Sequence, residues 1–153
     1  MIRKKLVAMR FVAAFFLTAI GAFATTPTAS LAQAQLGPTN YLDAATAIAT
    51  AIDRYEMASV WSSASPVMKS SIPEDSFVAS VAPRRALLGT IKNRDWVSVM
   101  RVPIGEDNGA LPAGNYVSVR FATTGNNGRV MEEVVSFRQD TDNQWRLVGY
   151  TIN

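Results

Sequence analysis

The sequence predicts an α+β domain in which amino-terminal helices pack on a four-stranded antiparallel meander sheet. In the first half, apolar residues such as Ala45, Ala49 and Ile52 recur at the spacing of one helical face. From Trp96 onward the apolar period changes to two, and turn-forming residues separate the apolar segments at regular intervals. Strands joined by short turns run antiparallel, so we expect one sheet with the helices packed against it.

The first predicted helix runs from about Tyr41 to Met57, with Asn40 as its cap. The stretch from Ala58 to Ser62 either continues this helix or forms a separate turn. Val67 to Ser70 is predicted as one more helical turn.

A further helix is predicted to start at Ser71, because Ser71 and Glu74 have the spacing of a capping box with Pro73 in the first turn. Phe77 belongs to its apolar stripe. Pro83 is expected to bend or end this helix, since proline has no backbone N–H to donate.

The second half is predicted to contain four strands with a defined register. A three-residue loop from Asn126 to Gly128, with Gly128 left-handed, pairs Phe121 with Glu133. In the last hairpin we place Phe137 opposite Trp145, which sets Glu133 opposite Gly149. The predicted strands are Trp96 to Val102, Tyr116 to Thr123, Val130 to Arg138 and Trp145 to Ile152. The face that we expect the helices to cover carries Val117, Val119, Phe121, Val135, Phe137, Trp145 and Leu147.

The opposite face of the predicted sheet carries an apolar patch made by Val134, Val148, Tyr150 and Ile152. Exposed apolar patches often mark contact surfaces, and a symmetric homodimer through the sheet is the simplest use of this one. Coverage by the amino-terminal segment and ordinary surface hydrophobicity are the alternatives.

The first 34 residues are predicted to be a secretory signal peptide. A basic end that includes Arg3 and Arg10 precedes the apolar run from Phe11 to Ala24, which has 14 residues. Cleavage after Ala34 is favoured, with cleavage after Ala24 as the second choice. The run is too short to span the roughly 30 Å of a bilayer core, so we expect no stable membrane anchor. Residues 35–40 form a linker and residues 41–153 a single domain.

The positive charge belongs to this leader. The whole chain has a formal net charge of +3, but the leader holds four of the 15 basic and none of the 12 acidic residues. The remaining chain therefore has a net charge of −1, with its arginines interleaved with Asp and Glu. We expect no binding of nucleic acid, which needs a clustered positive face. Export to a bacterial periplasm or to the extracellular space is predicted.

The composition excludes several kinds of catalytic site. The chain has no Cys and no His, so thiol nucleophiles, disulfides, thiolate zinc sites and Ser-His-Asp triads are absent. The loop from Pro103 to Asn115 has acidic residues but lacks the 12-residue calcium pattern. We expect no metal and no cofactor.

Glu133 is the anomaly on the predicted inner face, because a buried carboxylate must be paired, protonated or open to water. Two interpretations stay open. Glu133 is an acid, a base or a ligand anchor in a pocket between sheet and helices. Alternatively it forms an internal ion pair with Arg84, Arg85 or Arg94, or lies near the edge of the sheet.

Aromatic residues give a second set of candidates. Trp61, Trp96 and Trp145 with Tyr55 suit a stacking platform for a sugar or an apolar ligand, although aromatics in a small domain are more often core. The candidates for binding a ligand or partner are Trp61, Arg85, Arg94, Tyr116, Glu133 and Tyr150, with Glu133 as the one catalytic candidate.

Several of these residues lie in segments that resemble the bacterial exported family called domain of unknown function 4019. The matching segments are Arg85 to Gly89 with Arg94, Pro112 to Tyr116, Glu133, and Gln144 to Tyr150. Leu87 departs from the proline that is common in that family. The resemblance implies a secreted α+β domain similar to cystatin or nuclear transport factor 2 folds, and it implies no activity.

We therefore expect an exported, noncatalytic binding or interaction domain. The alternative is a small-molecule isomerase or hydrolase that uses Glu133 in a pocket between the sheet and the helices. A closed core with Glu133 paired to arginine favours the first, and a cavity shared by Glu133 and a tyrosine favours the second.

Overall fold

The computed structural model describes residues 37–106 and 111–153. Within them, helices precede an open antiparallel sheet with the strand order β1-β2-β3-β4, so the α+β class and the meander are confirmed. The predicted signal peptide lies outside the described residues. The elements are α1 Pro38–Asp53, α2 Met57–Ser62, α3 Pro66–Ser71, α4 Glu74–Ala86, β1 Ile91–Ile104, β2 Gly114–Gly125, β3 Val130–Gln139 and β4 Trp145–Ile152.

Helix α1 begins at Pro38, inside the stretch expected to be a linker. Proline suits this position because its missing N–H needs no partner in the first turn. Asn40 does not cap the helix as predicted. Its side chain instead lies within the first turn and accepts a hydrogen bond from the Gly37 N–H at 2.9 Å.

The turn after α1 explains why this helix ends at Asp53 and not at Met57. The Tyr55 N–H donates to the Ile52 carbonyl and the Glu56 N–H donates to the Ala51 carbonyl, both at 3.0 Å. This is the Schellman arrangement, which needs a left-handed residue at its centre. Tyr55 takes that role with φ 60°.

The predicted capping box at Ser71 is wrong. Ser71 is the last residue of α3, and its hydroxyl donates to the Val67 carbonyl at 3.0 Å. Helix α4 begins at Glu74 without a side-chain cap. It continues past Pro83 to Ala86, so the proline falls in the last turn, where the loss of one N–H donor interrupts little of the helix.

The predicted register between β2 and β3 is confirmed, with Val119 opposite Val135 and Phe121 opposite Glu133. The loop is the predicted one, because Gly128 is left-handed with φ 78° and its N–H donates to the Gly125 carbonyl at 3.0 Å. A glycine at this position avoids the steric cost that a side chain would meet.

The predicted register between β3 and β4 is wrong in two ways. Trp145 pairs with Gln139 and not with Phe137, and a β-bulge between Ser136 and Phe137 then shifts the pairing by one more residue. The bulge shifts the strands past each other and changes which residues of β4 face the helices. The observed pairs include Gln139 with Trp145, Phe137 with Leu147, Val135 with Tyr150 and Glu133 with Ile152.

The bulge moves most of the predicted apolar patch into the core. Tyr150 is 6% exposed and Ile152 is 1% exposed, and Val148 packs against the same buried cluster. The patch of Val134, Val148, Tyr150 and Ile152 is therefore not a surface feature, and only Val134 stays on the face away from the helices.

The core lies between the helices and one face of the sheet, which we call the inner face. The predicted inner-face residues are confirmed in this cluster, with Trp145 partly buried at its margin. Its fully buried members come from both layers: Ala45, Ala49, Ile52, Leu88, Val117, Val119 and Val135. In residues 37–106 and 111–153, no helix has the length and apolar character needed to cross a bilayer.

Candidate functional site

Glu133 lies in the core with 0% exposure and has four side-chain hydrogen bonds. Arg94 donates from Nε to Oε2 at 2.6 Å and from Nη2 to Oε1 at 3.3 Å. The Thr123 hydroxyl donates to Oε2, and the Tyr150 hydroxyl donates to Oε1 at 2.5 Å. Both carboxylate oxygens are therefore occupied by donors from the protein itself.

The ion pair continues from Arg94 to a second carboxylate. Arg94 Nη2 lies 3.1 Å from both carboxylate oxygens of Asp53. Arg85 Nε donates to Asp53 Oδ1 at 2.6 Å, and Arg85 Nη1 donates to the Gly89 carbonyl at 2.7 Å. We call the residues Arg85, Asp53, Arg94, Glu133, Thr123 and Tyr150 the buried polar network. Its two acids and two arginines balance each other in charge.

Each member of this network stands on a different element of the fold. Asp53 ends α1, Arg85 lies near the end of α4, and Arg94 lies on the edge strand β1. Thr123, Glu133 and Tyr150 come from the inner face of β2, β3 and β4. The network therefore ties all four strands to two helices.

The electrostatics of the network favour a neutral tyrosine beside charged partners. Burial raises the pKa of Tyr150 far above its usual range, and the negative charge of Glu133 raises it further. Burial by itself would lower the pKa of Arg94, but the hydrogen bonds and charges of Glu133 and Asp53 outweigh burial and raise that pKa. Tyr150 is thus held as a hydrogen-bond donor.

A surface pocket of about 170 Å³ lies next to the network but does not open onto its carboxylate. Tyr150 and Arg84 line the pocket together with the carboxyl end of the chain, whereas Glu133 is not on its wall. Arg84 Nη1 donates to Asn153 Oδ1 at 2.9 Å across the same region. A molecule in this pocket would therefore contact Tyr150 but not Glu133.

The structure brings together four of the six predicted site residues, namely Arg85, Arg94, Glu133 and Tyr150. Tyr150 was expected on the other face, and the bulge in β3–β4 is what turns it inward. The other two candidates lie elsewhere and have partners of their own. The Trp61 Nε1–H donates to the Ile72 carbonyl at 2.8 Å, and the Tyr116 hydroxyl donates to the Pro112 carbonyl at 2.7 Å.

Two members of the network, Asp53 and Thr123, were missed by the sequence analysis. Asp53 follows Ala45 and Ala49 at steps of four, so it extends the most buried row of α1. Thr123 is the next inward position of β2 after Phe121. The spacing that places Asp53 and Thr123 on buried faces was visible in the sequence. Both are polar residues at the end of an apolar row, however, and such residues are easily interpreted as the point where the buried face ends.

A second buried polar cluster lies at the other end of the sheet. The Ser65 hydroxyl, with 0% exposure, donates to Asp140 Oδ1 at 2.7 Å and accepts the Val67 N–H at 3.2 Å. Asp140 also pairs with Arg138 at 3.2 Å and with Arg146 at 3.0 Å. Ser65 is thus the cap of α3, and it also anchors the turn between β3 and β4.

No group of three or more acidic side chains suited to a metal ion occurs in the described ranges 37–106 and 111–153. Carboxylate and imidazole groups are the usual protein ligands of such ions. The two acidic side chains of the buried polar network form ion pairs with arginine.

The chain was also compared with known proteins. Residues 44–150 match the family model described as Protein of unknown function (DUF4019). The chain belongs to this family. All members of the buried polar network lie within the matched residues. Neither the comparison with curated proteins nor the comparison with solved structures gives a match.

Proposed function

We propose that this protein is an exported, noncatalytic binding or interaction domain. The observation that carries the proposal is the saturation of Glu133, whose two oxygens accept four hydrogen bonds inside a core with no exposure. A catalytic acid or base must reach a substrate atom directly or through one water. Glu133 has no such approach while Arg94, Thr123 and Tyr150 surround it.

Export is proposed on the sequence of the leader. Its basic end, its apolar run of 14 residues and the small residues before position 35 have the three-part order of a signal peptide. The destination is the periplasm or the extracellular space, where a chain without cysteine needs no disulfide chemistry.

We also propose that the fold is of the cystatin-like or nuclear transport factor 2-like kind.

An interaction role is supported by exposed apolar side chains on the sheet. Trp96, Val97, Met100 and Val102 are 62%, 54%, 47% and 45% exposed, and all four belong to the edge strand β1. Met100 pairs with Ser118 on the face away from the helices, whereas Trp96 pairs with Phe121 on the other face, so the exposed apolar groups follow this edge of the sheet. Such a group of exposed apolar side chains favours a contact surface.

The rival function is an isomerase or hydrolase that uses Glu133. The observation in its favour is the hydrogen bond from the Tyr150 hydroxyl to Glu133, because Tyr150 is also one of the residues that line the small surface pocket. This rival requires the pocket to open as far as Glu133, which lies behind Tyr150.

Native mass spectrometry of the purified protein, in search of a co-purified small molecule, separates the two functions. Any captured compound is then incubated with the wild-type protein and with Tyr150→Phe, which keeps the ring and removes the hydroxyl. We expect no turnover by either protein. Turnover by the wild type that Tyr150→Phe abolishes, in a variant with unchanged circular dichroism, would establish the enzyme and overturn the proposal.

Export is tested on its own by fractionation of the producing cells and amino-terminal sequencing of the recovered protein. We expect the protein outside the cytoplasm, with Gln35 as its first residue, or Thr25 if the second cleavage site is used. A protein that keeps Met1 and stays in the cytoplasm contradicts the proposal of export.

A further inference from the structure

The face of the sheet away from the helices, which we call the outer face, has a composition unlike ordinary solvent-facing surface. It combines apolar side chains, small hydroxyls and a few paired charges, with short side chains across its middle. Three cross-strand rows define it: Ser98 with Arg120, Val134 and Thr151; Met100 with Ser118, Ser136 and Gly149; and Val102 with Tyr116, Arg138 and Arg146.

The described helices leave this face open. The buried cluster joins helical residues to the inner face of the sheet, so the helices pack on that side. At one end of the outer face, Pro112 and Ala113 accept hydrogen bonds from the side chains of Tyr116 and Arg138. Away from that end, Met100 is still 47% exposed.

We propose that a second copy of this chain packs on the outer face, sheet against sheet. The proposal rests on the interaction role proposed above and names its partner. Two sheets that pack face to face lie about 10 Å apart with their strands aligned within about 30°, a geometry that flat rows of short side chains accommodate. A twofold axis uses the same surface on both copies, so no second complementary patch is needed.

The charges of the outer face fit a second copy better than a strongly charged partner. Arg120 forms an ion pair with Glu132 on the same face. Arg138 pairs with Asp140, and Arg146 pairs with Asp140 and with Asp142, which lies in the adjacent turn. The face is thus nearly neutral, so two copies approach without repulsion, whereas a polyanion would find no unpaired positive stripe here.

The area of the face is sufficient for a stable dimer. Four strands at about 4.8 Å spacing and about ten residues at about 3.4 Å each give roughly 650 Å² before side-chain relief is counted. A standard interface buries about 800 Å² on each partner. Two outer faces together give about 1,300 Å², at the lower end of the roughly 1,200–2,000 Å² that stable interfaces bury in total, so the whole face must be used.

Sedimentation velocity of the purified protein between about 1 and about 200 µM tests the dimer across the affinity range of a weak to moderate interface. We expect a monomer–dimer equilibrium that Met100→Asp weakens at least about tenfold, because the charge would be buried between two sheets. Leu87→Asp is the matched control, since Leu87 is 46% exposed and belongs to the end of α4, off the sheet. We expect this control to dimerise like the wild type.

A second readout uses the absence of cysteine from the chain. Ser118→Cys places a sole thiol in the middle of the outer face, and a short bismaleimide should then link two copies, while Leu87→Cys should stay unlinked. A monomer at every concentration, or equal effects of Met100→Asp and Leu87→Asp, would overturn the dimer. Such a result leaves the interaction role standing with another partner, whereas turnover in the mass-spectrometric test would overturn the noncatalytic proposal without changing the measured oligomeric state.

Discussion

Replacement of Glu133 by glutamine should destabilise the fold strongly, because it removes one charge from a buried and closed network. Glutamine keeps the size of the side chain but replaces one acceptor oxygen with an NH2 group. Arg94 then keeps only Asp53 as a charged partner. Removal of one partner from a buried ion pair typically costs about 3–5 kcal/mol. The hydroxyls of Thr123 and Tyr150 can rotate to accept hydrogen bonds from the new NH2 group, which lowers this cost. We therefore expect the free energy of unfolding to fall by about 3 kcal/mol.

Urea unfolding followed by circular dichroism measures this loss directly, and the melting temperature should fall by about 10–15 °C. The neighbouring residue provides a matched control. Glu132 has a side chain that is 46% exposed and pairs with Arg120 at the surface, so Glu132→Gln should cost less than about 1 kcal/mol. Equal and small losses for the two variants would refute the claim that Glu133 holds the core together.

Three other predictions concern single positions and alkaline pH. A Cβ at Gly125 would lie 2.0 Å from the Leu88 carbonyl oxygen, so Gly125→Ala should cost at least about 2 kcal/mol in urea unfolding, while Gly105→Ala, with open space around it, should cost under about 1 kcal/mol. Similar losses for both would contradict the close contact. Tyr55 has a left-handed backbone conformation and is 56% exposed, so Tyr55→Gly should raise the free energy of unfolding by about 0.5–1 kcal/mol. A loss of stability would show that contacts of the tyrosine ring are worth more than the backbone strain. The pKa of Tyr150 is raised in the folded state, so its contribution to stability is complete below the usual tyrosine pKa near 10 and is lost as pH rises above it. In an absorbance titration at 295 nm, at least one tyrosine should ionise only together with unfolding, and ionisation of all four tyrosines in the folded protein would contradict this.

The sequence predicted the layers of the fold because those depend on period and turn chemistry. Helical spacing and alternating strands are local properties. The three-residue loop ending at Gly128 was selected because its register keeps apolar residues of β2 and β3 on one face. The end of α1 was misjudged since Tyr55 occupies a position that glycine usually takes.

The register between β3 and β4 could not be predicted from alternation for two reasons. A shift of two residues leaves every side chain on the same face, and a bulge further along the pairing breaks the period of two. That one irregularity decided the assignment of Tyr150. Alternation placed Tyr150 on the outer face as part of a dimer patch. In the structure its hydroxyl instead donates a hydrogen bond to Glu133 in the core. The anomaly of a carboxylate on an apolar face was visible in the sequence, and so were Arg85 and Arg94 as partners. The role of Asp53 as the link between the two arginines depends on how α1 lies over the sheet, which is a tertiary property.

A double-mutant cycle between Arg94 and Glu133 tests most directly whether the buried carboxylate serves the fold. Arg94→Met, Glu133→Leu and the double variant replace the charges with apolar side chains of similar size, and urea unfolding gives each free energy of unfolding. We predict that the double variant is at least about 2 kcal/mol more stable than the sum of the single losses implies, because each single change leaves the other charge buried with fewer partners. Losses that add to within about 0.5 kcal/mol would contradict the account.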